Sequence, residues 1–144
     1  MKHLHFDVET AGFYGAYWAC AGGSDCAVIA MIGDDPEDRL ARSAVKWLCG
    51  QGVNVLTMSP AKKDYGHHNY PLERVETAIS WLKANGNHKI GIAGASTTGT
   101  LALTAAAMFP DITLTIAMTP SDFVWQGFMP VSYTHLRAHE TLSD

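Results

Sequence analysis

Four short apolar runs, spaced along the chain with helix-like stretches between them, constrain this sequence more than any other feature. They are "CAVIAMI" (26–32), "VNVLTM" (53–58), "HKIGIAG" (88–94) and "ITLTIAM" (112–118). Each is continuous or nearly so, without the strict alternation of a half-solvated strand. Such runs suit strands covered on both faces, as in a parallel sheet.

The stretches between them carry helical signals. Asp35-Pro36-Glu37-Asp38 offers a cap, a proline for the first turn and acidic side chains at the dipole's positive end. Leu40, Ala44, Val45 and Leu48 then fall on one predicted face, and Gly50 stops the run. A second helix is predicted from Pro71, with Leu72, Val75, Ile79 and Leu82 in phase and Gly86 at its end. The third, 97–109, is apolar nearly all round and is expected to be the most buried. Pro110 closes it. Strand and helix thus alternate, which predicts right-handed crossovers and an α/β fold: a mostly parallel sheet with helices on both faces. The lead-in "HFDVETAGFYGAYWACAGG" reads as a less regular strand or hairpin.

At 144 residues one domain is expected, and a 47% hydrophobic fraction is enough for its core. Net charge is −4, with no basic patch or arginine-rich arm, so nucleic acid is not an expected partner. The N-terminus has no apolar core of a signal peptide, and no segment approaches a membrane span. Cys20, Cys26 and Cys49 form an odd set without metal spacing, which favours a reducing, cytoplasmic setting.

The chemistry concentrates in "KIGIAGASTTGT" (89–100). In open parallel sheets, reacting groups gather at the carboxyl ends of strands. Ser96 directly follows a strand and precedes a helix, and its neighbours are small enough for a sharp turn. Such a turn presents the hydroxyl to solvent, beside backbone N–H groups at a helix N-terminus. The signature G-x-S-x-G is incomplete: Gly94 and Ser96 fit, Thr98 holds the last glycine's place, and Gly99 comes one later. Two readings stand at this point: Ser96 as nucleophile, or Ser96 as a helix cap in an inert or ligand-binding module. A dinucleotide loop is disfavoured, because G-x-G-x-x-G needs glycine at position 96. No cofactor is expected.

The segments "YPLERVETAISWLKANGNHKIGI" and "GASTTGTLALTAAAMFPDITLTIAMTPSDFVWQGF" resemble the α/β-hydrolase domain of the acyl-CoA thioester hydrolase and bile acid-CoA:amino acid N-acyltransferase family. The resemblance runs from about Cys26 to about Met129. It implies an elbow nucleophile at Ser96, an oxyanion donor at the Thr97 N–H, and a second at Gly33 or Asp34. It implies acyl thioesters or related small acyl compounds as substrates, with water or an amine as acceptor.

It also implies an acid and a histidine on later strands, expected beyond the end of this chain. Residues 1–130 are thus expected to be the N-terminal portion of a hydrolase domain whose C-terminal strands are absent. The tail "VSYTHLRAHETLSD" (131–144) has no apolar period and resembles a translated read-through segment. Without later strands, the last strand's edge would be exposed and open to self-association. Asp122 is a candidate stand-in acid, and His67 and His68, in the loop after the second apolar run, are candidates for a substrate entrance. His135 and His139 have metal-like spacing but no third ligand, and Asp34 and Asp35 read as loop and cap, so no metal site is expected.

Overall fold

A computed structural model describes residues 2–60 and 70–120 of the chain. The described elements run β1 (Leu4–Phe6), α1 (Val8–Ala11), β2 (Gly15–Trp18), β3 (Cys26–Met31), α2 (Arg39–Gly50), β4 (Asn54–Met58), α3 (Glu73–Ala84), β5 (Lys89–Ala95), α4 (Thr97–Met108) and β6 (Ile112–Met118). The four apolar runs are the four strands β3 to β6. The lead-in forms β1 and β2, an antiparallel pair joined through the short α1.

The six strands make one sheet in the order β1-β2-β4-β3-β5-β6. β2 runs antiparallel to β4, whereas β4, β3, β5 and β6 are mutually parallel. Since β3 lies between β4 and β5, the connection through α3 passes over it. β3 and β5 are therefore central, and the turns that leave their carboxyl ends lie side by side.

Helices cover both faces. α3 and α4 pack on one through Val75, Ala78, Ile79, Leu82, Leu101, Ala102 and Ala105, against Ile29, Leu56, Ile90 and Ile92. α2 packs on the other through Val45 and Leu48, against Val28, Ala30, Val55 and Ala93. At the opposite end from the elbow, a buried amide pair joins the strands. Asn54 accepts from the Cys20 N–H at 2.9 Å and donates to Asn87 at 2.9 Å.

Three expectations are corrected. The cap of α2 is Asp38, not Asp35, because the Asp38 carboxylate is the one that reaches the Ala41 N–H, at 2.9 Å. The buried face of α2 is Ala41, Val45 and Leu48, and Leu40 is exposed. α4 is buried through its first half, but Leu103, Ala107 and Met108 face outward.

Candidate active site

β5 ends at Ala95 and α4 begins at Thr97, so Ser96 alone makes the turn. Its backbone lies at φ 55°, ψ −119°, a conformation that costs about 1–3 kcal/mol for a residue with a side chain. A helix-capping serine has an extended backbone and accepts a hydrogen bond from the first turn. Ser96 has neither: its side chain makes no cap hydrogen bond, and it is exposed.

The surrounding backbone accounts for how this strain is held. The Ser96 N–H donates to the Met118 carbonyl at 2.8 Å, and the Ser96 carbonyl accepts from Thr100 at 3.1 Å. At Gly94 a Cβ would run into the Thr98 carbonyl and approach Gly99 N to 2.9 Å. At Gly99 a Cβ would come within 2.9 Å of the Met118 carbonyl oxygen. Only glycine fits at either position, which is why the second glycine appears at 99 and not at 98.

Thr98 is buried and takes a different part. Its hydroxyl accepts from the Ala95 N–H at 2.9 Å and donates to the Met31 carbonyl at 2.7 Å. The elbow is thereby attached to the end of β3 as well as to the end of β6.

The loop after β3 faces the elbow. Gly33 has φ 97°, and a Cβ there would collide with the Asp38 carboxylate. That carboxylate organises the loop, accepting from Asp34 N–H at 2.7 Å and Asp35 N–H at 3.1 Å besides capping α2. Burial opposes the Asp38 charge, but these backbone donors outweigh it and hold the carboxyl below the usual aspartate range. Thr57 donates to the Pro36 carbonyl at 2.6 Å, Ser59 donates to the Gly33 carbonyl at 3.3 Å, and Tyr14 donates to Asp35 at 3.1 Å. Glu37 meets His3 at 3.0 Å and also pairs with His5. The loop is thus held rigidly before any ligand arrives, as electrostatic stabilisation of a developing charge requires.

Between loop and elbow lies an open cleft of about 230 Å³, lined by Met31, Ile32, Gly33, Asp34, Leu40, Ala95, Thr97 and Thr98. Leu40, expected in the core, instead gives this cleft part of its apolar wall. Of the two residues expected to supply the second donor, Asp34 has its N–H engaged by the Asp38 carboxylate at 2.7 Å. The Gly33 N–H makes no hydrogen bond among the described residues. Thr97 is the first residue of α4, so its N–H belongs to the turn that a helix leaves without intrahelical acceptors.

The described histidines do not reach Ser96. His3 and His5 belong with β1, four strands away from β5, and His88 precedes β5 at the far end of the sheet. Asp122, His67, His68, His135 and His139 lie outside the described residues. Among the described residues no group of three His, Cys, Asp or Glu side chains is placed to hold a metal ion. No helix among them is long and apolar enough to cross a membrane.

Sequence reasoning missed Asp38, Glu37 and Met118 as parts of the site. Asp38 had a readable signal: it stands three residues before Ala41, the first residue of the buried i, i+4, i+7 set Ala41, Val45 and Leu48. Glu37 and Met118 act through pairings between distant segments and carry no local mark.

No protein-family model matches the chain. Among solved structures it is similar to Est1E from Butyrivibrio proteoclasticus, with 21% identity and a TM-score of 0.57, over 83% of this chain and 51% of that one. It is also similar to the Pyrococcus furiosus esterase PF2001, with 18% identity and a TM-score of 0.60, over 98% of this chain and 60% of that one. At such identities the likeness is one of fold: a mostly parallel sheet with helices on both faces. The chain spans about half of the first structure and three fifths of the second.

Proposed function

We propose that these residues form the nucleophile-bearing half of a serine hydrolase that acts on acyl esters or thioesters, with Ser96 as nucleophile. The observation that carries the reading is the backbone of Ser96, strained at φ 55°, ψ −119°, with an exposed side chain that caps nothing. A residue held in so costly a conformation at a strand-to-helix turn, beside a cleft, suits presentation of a nucleophile. The likeness of fold to the Pyrococcus furiosus esterase PF2001 agrees with it.

In this reading Ser96 Oγ attacks the acyl carbonyl carbon while a histidine takes the hydroxyl proton. The carbonyl oxygen becomes an oxyanion, received by the Thr97 and Gly33 N–H groups. Collapse expels the alcohol or thiol, which takes the proton from the histidine and leaves an acyl-enzyme. Water or an amine then attacks the acyl carbon and restores the Ser96 hydroxyl. The acid and histidine belong to residues past Met129 in the full-length gene product, and Asp122 is a substitute for the acid. His67 and His68 are candidates for contact with the substrate. Residues 1–130 belong to the hydrolase domain, the tail 131–144 does not, and the setting is cytoplasmic.

Acyl-CoA thioesters are the favoured substrates on the resemblance of residues 70–129 to the thioester hydrolase and N-acyltransferase family. The test is turnover by the full-length gene product of p-nitrophenyl esters and of acyl-CoA thioesters, with and without free amino acids. Faster acyl-CoA turnover, releasing free acid, supports the thioesterase reading. Amide product instead identifies the acyltransferase. Turnover of neither substrate class, by a folded protein, contradicts the proposal.

A further inference from the structure

We infer that Thr98 is a positioning residue for the Ser96 nucleophile, its hydroxyl setting the elbow against the loop that carries Gly33. The inference rests on the reading of Ser96 as nucleophile and adds a role that the elbow signature does not contain, since that signature has glycine at this place.

Thr98 is 7% exposed, and its hydroxyl lies between the last residues of two neighbouring strands. It accepts from the N–H of Ala95, the residue before the nucleophile, at 2.9 Å. It donates to the carbonyl of Met31, two residues before Gly33, at 2.7 Å. The Ala95 carbonyl lies at 2.9 Å as a second acceptor for the same hydrogen. One buried hydroxyl therefore joins the segment that aims the nucleophile to the segment that aims the second oxyanion donor.

Its position is not free to drift. The Thr98 carbonyl occupies the space that a Cβ on Gly94 would need, and Thr98 is itself in the first turn of α4. Its Cα is thus fixed by close backbone packing, and its Oγ1 is fixed by two strand ends. Removing the hydroxyl takes a partner from the half-buried Ala95 N–H and from the buried Met31 carbonyl, which favours local rearrangement where the two walls of the cleft meet. Catalytic geometry is sensitive to such shifts: a displacement of about 1 Å can lower a rate by about 100-fold.

The test compares labelling of the full-length gene product by a fluorophosphonate, resolved into the reversible affinity and the maximal inactivation rate, with folding checked by thermal unfolding. Thr98→Val keeps the shape and loses the hydroxyl, and Thr98→Ser keeps the hydroxyl. The expected result is a maximal rate lowered about 10- to 100-fold in Thr98→Val, with affinity unchanged and the rate restored in Thr98→Ser. Thr98→Gly, which removes the side chain without added bulk, gives the same loss and serves if Thr98→Val does not fold. Wild-type labelling at Ser96 with an unchanged rate in a folded Thr98→Val or Thr98→Gly overturns the inference alone. Absence of labelling at Ser96 in the folded wild type overturns the nucleophile reading and the inference with it.

Discussion

The Ser96 N–H donates to the Met118 carbonyl at 2.8 Å, so the strained turn of the elbow is tied to the last residue of the neighbouring strand. Met118 also lies against Gly99, where no side chain fits. β6 therefore holds α4 and the elbow at once.

Gly94→Ala should destabilise the protein by about 1–3 kcal/mol or more, since the added methyl meets backbone that cannot yield. Gly50 provides the contrast, with nothing within 4 Å of a Cβ and no positive φ. Gly50→Ala should be neutral or stabilising by up to about 1 kcal/mol. Denaturant midpoints of the two variants check this, and equal effects would show that the elbow packing is looser than described.

Stability should depend on pH through the contact of β1 with the loop after β3. Hydrogen bonding to Glu37 raises His5 above its ordinary 6.5, despite burial that acts the other way. Burial disfavours the Glu37 charge, but hydrogen bonds from His3 and His5 prevail and lower it below its ordinary 4.5. The His5 contribution is complete below the unfolded histidine pKa and is lost as pH rises through the raised folded value. The Glu37 contribution is complete above the unfolded glutamate pKa and is lost as pH falls through the lowered one. Both act together only between these limits. Glu37→Gln should therefore lower the melting temperature more at about pH 5.5 than at about pH 8.5. An equal effect at both would remove the charge pairing from the account.

The 144-residue chain on its own should self-associate. β6 pairs with β5 alone among the described strands, and its Leu114, Ile116 and Met118 are exposed at 57%, 38% and 46%. They share the sheet face that α2 covers over β3 and β4, as the approach of Leu114 and Val28 to Gly91 shows. A row of three apolar side chains along a strand that is paired on one side only among the described strands favours association. Size-exclusion chromatography should show oligomers, and Leu114→Glu with Ile116→Lys should shift them toward monomer. A monodisperse wild-type monomer would contradict this.

The parts of the fold that were legible in sequence are those decided locally. β3, β4 and β5 are buried on both faces and so read as unbroken apolar runs, and the helices between them carried their periodicity and stops. The elbow was legible because a one-residue turn admits only small neighbours. The start of α2 was misread because Asp35 and Asp38 are both plausible caps by sequence. Which one caps depends on where Gly33 and Asp34 bring the loop. Leu40 was misread because the buried face of α2 is centred on Ala41, Val45 and Leu48, and at about 3.6 residues per turn Leu40 stands about 100° around the helix from Ala41. Thr98 looked like a defect in a glycine signature, and its hydroxyl acquires a purpose only when β3 and β5 lie side by side.

The central claim is that Ser96 is a nucleophile. Its most direct test is fluorophosphonate labelling of the full-length gene product, with the modified residue located by peptide mass spectrometry in wild type and in Ser96→Ala. The account predicts one adduct, on Ser96, and none in a folded Ser96→Ala. Equal labelling of the two proteins, or an adduct on another serine, would contradict it.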